Sequence, residues 1–201
     1  MHSTASNPPG TRSMRNPAAA HAPVERIVLT GFMGSGKSTV GRSLAQRLGW
    51  RFVDLDNLIE QRDGRTVSRI FAESGEAAFR TLETEALTSS LREPRLVMAL
   101  GGGALETPTN RHALGAAAQT CIVLLTASFE TLYDRCRQQI AAAADSPLPV
   151  RPLLGTREAA AARLERRDAN YRRTANLVLD TTGQHPEESV DALLALLKTA
   201  L

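Results

Sequence analysis

Five short apolar runs recur along the chain: Arg26–Thr30, Arg51–Leu55, Leu96–Leu100, Thr120–Leu125 and Asn176–Asp180. They are too short and too uniformly apolar for strands with one wet face. Each reads as a strand buried on both faces of a parallel sheet. Helical periodicity fills the intervals. Val40, Leu44 and Leu48 repeat every four residues, and Val190, Leu193, Leu194 and Leu197 mark a final amphipathic helix. Gly49 stands where a helix commonly closes. Strand alternating with helix predicts one three-layer α/β/α domain over residues 25–201, built on a five-stranded parallel sheet. Two stretches break the rhythm. Residues 1–24 are rich in Pro, Ala, Ser and Asn, contain no acid and show no periodicity, so a disordered tail is expected. Gln138–Val150 runs through four alanines into Asp-Ser-Pro-Leu-Pro and reads as a mobile surface insert.

Composition narrows the class. The 201 residues, 42% hydrophobic and 22% charged, suit one soluble globular domain. No apolar run reaches the roughly 18 residues of a membrane helix, so no membrane partner is expected. Cys121 and Cys136 follow no metal-binding spacing and read as reduced thiols of a cytoplasmic protein. With two arginines before Arg26 and no amphipathic pattern, the N-terminus reads as a plain tail rather than a transit peptide. Net charge is +3, and arginine outnumbers lysine 22 to 2. Aromatics at 4% supply no base-stacking series, which argues against nucleic acid. Between Arg135 and Arg173, nine arginines face four acids. That local excess suits anionic ligands, although a solvated helix face accounts for most of it.

The chemistry begins at Gly31-Phe-Met-Gly-Ser-Gly36-Lys37-Ser38, a complete P-loop pattern placed between a strand and a helix. Glycines let consecutive N–H groups curl around phosphate oxygens, and the helix adds its positive end. Gly34, Ser35, Gly36, Lys37, Ser38 and Thr39 thus form a nucleotide cradle, with Lys37 reaching the β- and γ-phosphates and the Ser38 hydroxyl available to Mg²⁺. A dinucleotide loop is excluded because Gly34-x-Gly36-x-x runs into Thr39 rather than glycine. A guanine-reading Asn-Lys-x-Asp is absent, since the only other lysine is Lys198. An ATP-using kinase or ATPase remains.

An acceptor side follows. Asp54 and Asp56 close the second apolar run at the sheet edge that holds ligands. Two-residue spacing on a strand points both carboxylates into one site, one for a water-bridged Mg²⁺ and one for a substrate hydroxyl. The competing reading is helix capping by Asn57 with Glu60. On periodicity alone, Arg80 and Glu83 form a surface ion pair; the functional alternative is an arginine steadied by Glu83 and aimed at a carboxylate. Gly101, Gly102 and Gly103 follow a buried strand and allow close approach of a ligand, or simply a turn.

In order and rough spacing, GFMGSGKSTVGRSLA, FVDLD, GExxFRxxE from Gly75 to Glu83, GGG, RPLL from Arg151 and a later Arg-x-x-x-Tyr resemble shikimate kinases from about Ile27 to the C-terminus. The resemblance implies a P-loop fold like that of nucleoside-monophosphate kinases. It also implies transfer of the γ-phosphoryl of ATP to the 3-hydroxyl of shikimate, on the route to chorismate and the aromatic amino acids. By motif position, Asp56 would bind shikimate hydroxyls and serve as base, and Arg80 and Arg167 would clamp its carboxylate. The Gly101–Gly103 backbone would touch the ring, while Ser38 and Asp54 would hold Mg²⁺. Arg151 would reach the phosphates from a mobile lid at about 138–155, and Arg135 would lie against adenine. A monomer acting on ATP and shikimate is the expectation. Ala169 stands where the family has proline in Arg-x-Pro-x-Tyr, which leaves Arg166 a rival to Arg167, and the segment from Arg135 to Arg151 is longer than in compact members. Two rivals remain: another small-molecule kinase, such as a gluconate kinase, and a non-catalytic nucleotide-binding regulator.

Overall fold

The computed structural model describes residues 23–143 and 155–200. Its strands are β1 (Arg26–Thr30), β2 (Arg51–Asp54), β3 (Leu96–Ala99), β4 (Thr120–Thr126) and β5 (Leu177–Asp180). They form one parallel sheet in the order β2-β3-β1-β4-β5. The helices are α1 (Lys37–Leu48), α2 (Leu55–Asp63), α3 (Val67–Ser90), α4 (Pro108–Ala116), α5 (Phe129–Ala143), α6 (Arg157–Thr174) and α7 (Pro186–Ala200), with a 3-10 turn at Ala104–Glu106. The five strands fall on the five expected runs. The expected tail at 1–24 lies, up to residue 22, outside the described residues.

Strand alternation divides the core in two. Ile27, Leu29, Val97, Val123, Leu125 and Leu179 point to one face, where they pack with Val40 and Leu44 of α1 and with Val190, Leu193 and Leu197 of α7. Val28, Leu96, Met98, Ile122 and Leu124 point to the other, against residues of α2 to α6. This is the three-layer architecture that the alternating runs predict, and it explains why the central strands are polar only at their ends. The connection from β1 runs to β2 across one face, while that from β3 runs to β4 across the other. The loops after β1 and β3 therefore part, opening a crevice at the carboxyl ends of the strands.

One expectation is corrected, and one helix is bent. Residues 138–143 belong to α5, which continues to Ala143; alanine is a strong helix former, so the run extends the helix instead of ending it. The rest of the expected insert, 144–154, lies outside the described residues. The helix holding Arg80 and Glu83 is not straight. It kinks at Gly75, whose φ of 79° and ψ of 174° interrupt α3.

Candidate active site

The loop from Gly31 to Gly36 turns at the carboxyl end of β1 and feeds α1 directly. Gly36 caps that helix in the left-handed region with no side-chain hydrogen bond, and the first turn carries no acid. The amino end of α1 thus keeps its backbone donors and its positive dipole for an anion. Gly34 shows why glycine is needed: its φ is 77°, and a Cβ there would lie 2.3 Å from the Leu132 carbonyl oxygen. The Lys37 ammonium donates to the carbonyl oxygens of Gly31 and Phe32, both at 2.9 Å, which holds its charge at the loop. Ser38 Oγ donates to Asp54 Oδ2 at 2.6 Å.

Asp54 ends β2 and caps α2, accepting from the Asn57 N–H. Asp56 is in the first turn of α2, not on the strand. The expectation that strand alternation aligns the two carboxylates is therefore wrong. A tight strand-to-helix turn brings both to the same pocket instead. The Asn57–Glu60 capping box of the competing reading is not formed either: Asp54 makes the cap, and Glu60 Oε1 accepts from the Val67 N–H of α3.

A cavity of about 720 Å³ opens beyond the loop. Its walls include Lys37, Ser38, Asp54, Asp56, Arg80, Glu83, Gly101, Gly102, Gly103 and Arg167, with an apolar side from Val67, Phe71 and Phe79. Every described acceptor residue expected from the sequence is thus brought together. The Arg80–Glu83 pair is no surface bridge. Glu83 is 0% exposed, and its Oε2 accepts from Arg80 Nη1 at 2.9 Å. Both Arg166 and Arg167 line the pocket, and Arg167 is the more enclosed, with a side chain 13% exposed against 64% for Arg166. Gly103 makes room for both guanidinium groups: a Cβ there would sit 2.6 Å from Arg80 Nη2 and 3.1 Å from Arg167 Nη2. A Cβ at Gly101 would sit 2.6 Å from Asp56 Oδ1.

A second cavity of about 370 Å³ shares Gly34, Gly36, Thr39 and Gln139 with the first and extends to Arg135, Thr181, Gln184 and Pro186. Arg135 is fixed there by hydrogen bonds to Thr181 Oγ1 at 3.0 Å and to the Thr181 carbonyl at 2.8 Å. The phosphate loop is therefore flanked by two pockets, one beside the amino end of α1 and one lined by arginines and carboxylates. Arg151 lies outside the described residues.

The shikimate kinase family model matches residues 33–198. The chain belongs to the shikimate kinase family. The shikimate kinase of Geobacter metallireducens is 43% identical over 180 residues, covering 90% of this chain and 96% of its own. A solved shikimate kinase from Acinetobacter baumannii, in complex with shikimate, superposes with a TM-score of 0.77 at 33% identity, covering 88% of this chain and 94% of that one. A gluconokinase from Sinorhizobium meliloti, with a TM-score of 0.53 and 20% identity, shares the fold alone.

In this shikimate kinase the site also uses residues that motif reading missed. Asn110 of α4 is 0% exposed; its Nδ2 donates to the Ala104 carbonyl at 3.0 Å and to Glu83 Oε2 at 3.4 Å, while its Oδ1 accepts from Thr84 Oγ1 at 2.7 Å. Tyr171, the tyrosine that the Arg-x-x-x-Tyr motif already marked, is 2% exposed; it donates its hydroxyl proton to the Gly102 carbonyl and ties α6 to the glycine turn. Glu106 accepts from Arg167 at 2.7 and 2.9 Å. An Asn or Glu in a polar segment carries no sequence signal of such a role; only the return of that segment to α3 and α6 reveals it.

Burial pushes the Glu83 carboxyl up to about 7, opposed by Arg80 and reinforced by the neighbouring Asp56 charge. Its Oε1 is buried and, among the described residues, has no hydrogen-bond partner. Because the folded group binds its proton more tightly than the unfolded one, its stabilising contribution is complete below the ordinary range and is lost as pH rises through about 7. Glu83→Gln removes that titration. The stability difference between variant and wild type should shift towards the variant by on the order of 1–3 kcal/mol between pH 5 and 8. Parallel urea midpoints of the two proteins across that range would contradict the assignment.

Proposed function

We propose that this kinase transfers the γ-phosphoryl group of ATP to the 3-hydroxyl of shikimate, giving ADP and shikimate 3-phosphate for the synthesis of chorismate and the aromatic amino acids. The supporting observation is the pair of adjoining pockets that share the phosphate loop, one of them ending in the carboxylate-matching arginines Arg80 and Arg167. Planar guanidinium groups recognise carboxylates through paired N–H donors, and shikimate carries one carboxylate.

The roles follow from position. Backbone donors from Gly34 to Thr39 and the α1 dipole hold the phosphates, and Lys37 neutralises charge on the β- and γ-phosphoryl oxygens. The Ser38 hydroxyl and Asp54 carboxylate, already in contact, offer the hard oxygen ligands that Mg²⁺ prefers, and the two would hold it with the nucleotide's oxygens. Such an ion would supply further charge neutralisation at the phosphates. Arg135 lies along the base pocket. Arg80 and Arg167 orient the acceptor by its carboxylate, the Gly101–Gly103 backbone lies under its ring, and Asp56 accepts the proton of the attacking hydroxyl. Glu83 holds Arg80 in place from behind.

The gluconate-kinase reading requires an acceptor other than shikimate, and the regulatory reading requires nucleotide binding without turnover. A coupled ADP assay with shikimate, gluconate and nucleoside monophosphates, with and without Mg²⁺, decides among them. ADP release should depend on shikimate and the metal together; release with gluconate alone would refute the reading. Lys37→Met should lower kcat by more than about a hundredfold, since no other lysine serves the loop. Arg80→Ala should raise KM for shikimate at least tenfold and change KM for ATP by less than about twofold. Arg80→Lys keeps a charge beside Glu83 but loses the fork, so an equal rise in that variant separates recognition from misfolding; comparable losses on both substrates would argue against carboxylate recognition at Arg80.

A further inference from the structure

The charged lining of the acceptor pocket is balanced. Lys37, Arg80, Arg163, Arg166 and Arg167 face Asp54, Asp56, Glu76, Glu83 and Glu106. An anionic acceptor therefore meets arginines that already carry carboxylates. Those on Arg80 and Arg167 differ in how firmly they are held. Glu83 is fully buried on α3 and also accepts from Asn110. Glu76 lies on the solvent side of Arg80, with a side chain 67% exposed. Glu106 sits on the 3-10 turn directly after the three glycines, 30% exposed, with Oε2 between the two clamp arginines. That oxygen is 2.7 Å from Arg167 Nη2 and 3.8 Å from Arg80 Nη2. A substrate carboxylate bound by both arginines needs this same position. The other oxygen, Oε1, is 3.6 Å from the outer guanidinium of Arg166, which offers Glu106 a partner after it leaves.

Resting on the reading of Arg80 and Arg167 as the shikimate clamp, we propose that Glu106 is an internal stand-in for the substrate carboxylate: it holds the two arginines in register and is exchanged towards Arg166 when shikimate binds. Glu106 is thus a positioning residue that sets acceptor affinity. Shikimate binding becomes the replacement of one carboxylate by another, so a substrate lacking the carboxylate has nothing to exchange and is rejected. A side chain on a short turn suits this task because its rotation leaves α3 and α6 in place.

The test compares Glu106→Gln with wild type in steady-state assays, with acetate as a second carboxylate probe. Wild-type turnover with shikimate is the control for the underlying activity, and its absence would sink that reading and not the exchange alone. A displaced, partly exposed partner is worth about fivefold in affinity, so KM for shikimate should fall by about that factor while KM for ATP stays. Acetate should become a stronger competitive inhibitor against shikimate. Glu106→Asp, which withdraws the carboxylate from Arg167 by one methylene, should move KM the same way by less, and guards against failure of the Gln variant to fold. Glu76→Gln removes an equal charge from the outer side of Arg80 and should have a smaller effect. An unchanged or raised shikimate KM in the Glu106 variants would overturn the proposal, as would an equal fall in Glu76→Gln, which would reduce the effect to bulk charge.

Discussion

A carboxylate placed at 0% exposure must be held by other groups, and Glu83 is the point where that requirement organises the acceptor half of the cleft. Arg80 on the same helix and Asn110 from α4 meet Glu83 Oε2, and Asn110 in turn fixes the Ala104 carbonyl beyond the glycine turn. α3 and the segment that runs from the glycine turn into α4, distant in sequence, are thereby joined at one carboxyl group. The arrangement costs desolvation, visible in the raised Glu83 ionisation. What it achieves is a guanidinium whose direction is set in advance, as the proposed clamp on an acceptor carboxylate requires.

The sheet supplies the second constraint. Opposite departures of the chain after β1 and β3 put the phosphate loop and the glycine turn side by side, the arrangement that the proposed meeting of donor and acceptor needs. Asp54 joins the halves by serving twice, as the cap of α2 and as the partner of Ser38 from α1. Glycines after β3 carry out the same function on the other wall, since any side chain at Gly101 or Gly103 would strike Asp56 or the two arginines.

Much of this was legible before folding. Buried parallel strands announce themselves as unbroken apolar runs, and the phosphate loop carries its own spacing, so β1 to β5 lie on the expected runs and the loop from Gly31 lies between β1 and α1. Periodicity failed where tertiary contact decides. It assigned Arg80 and Glu83 to a surface because helix spacing does not say which face a kinked helix buries, and it set Asp56 on a strand because α2 begins at Leu55, directly after β2 ends. Motif order, and not any local property of the sequence, marked Arg80 and Arg167 as a pair. Glu106 and Asn110 were illegible for the reason that their partners lie on other elements.

The central claim is one cleft, with nucleotide phosphates on the loop and the acceptor carboxylate between Arg80 and Arg167. A crystal structure with ADP, Mg²⁺ and shikimate measures it directly. The account predicts the shikimate carboxylate within hydrogen-bond distance of both arginines and its 3-hydroxyl beside Asp56, facing the β-phosphate end of the nucleotide. Shikimate bound away from these arginines, or on the far side of the sheet from the nucleotide, would contradict it.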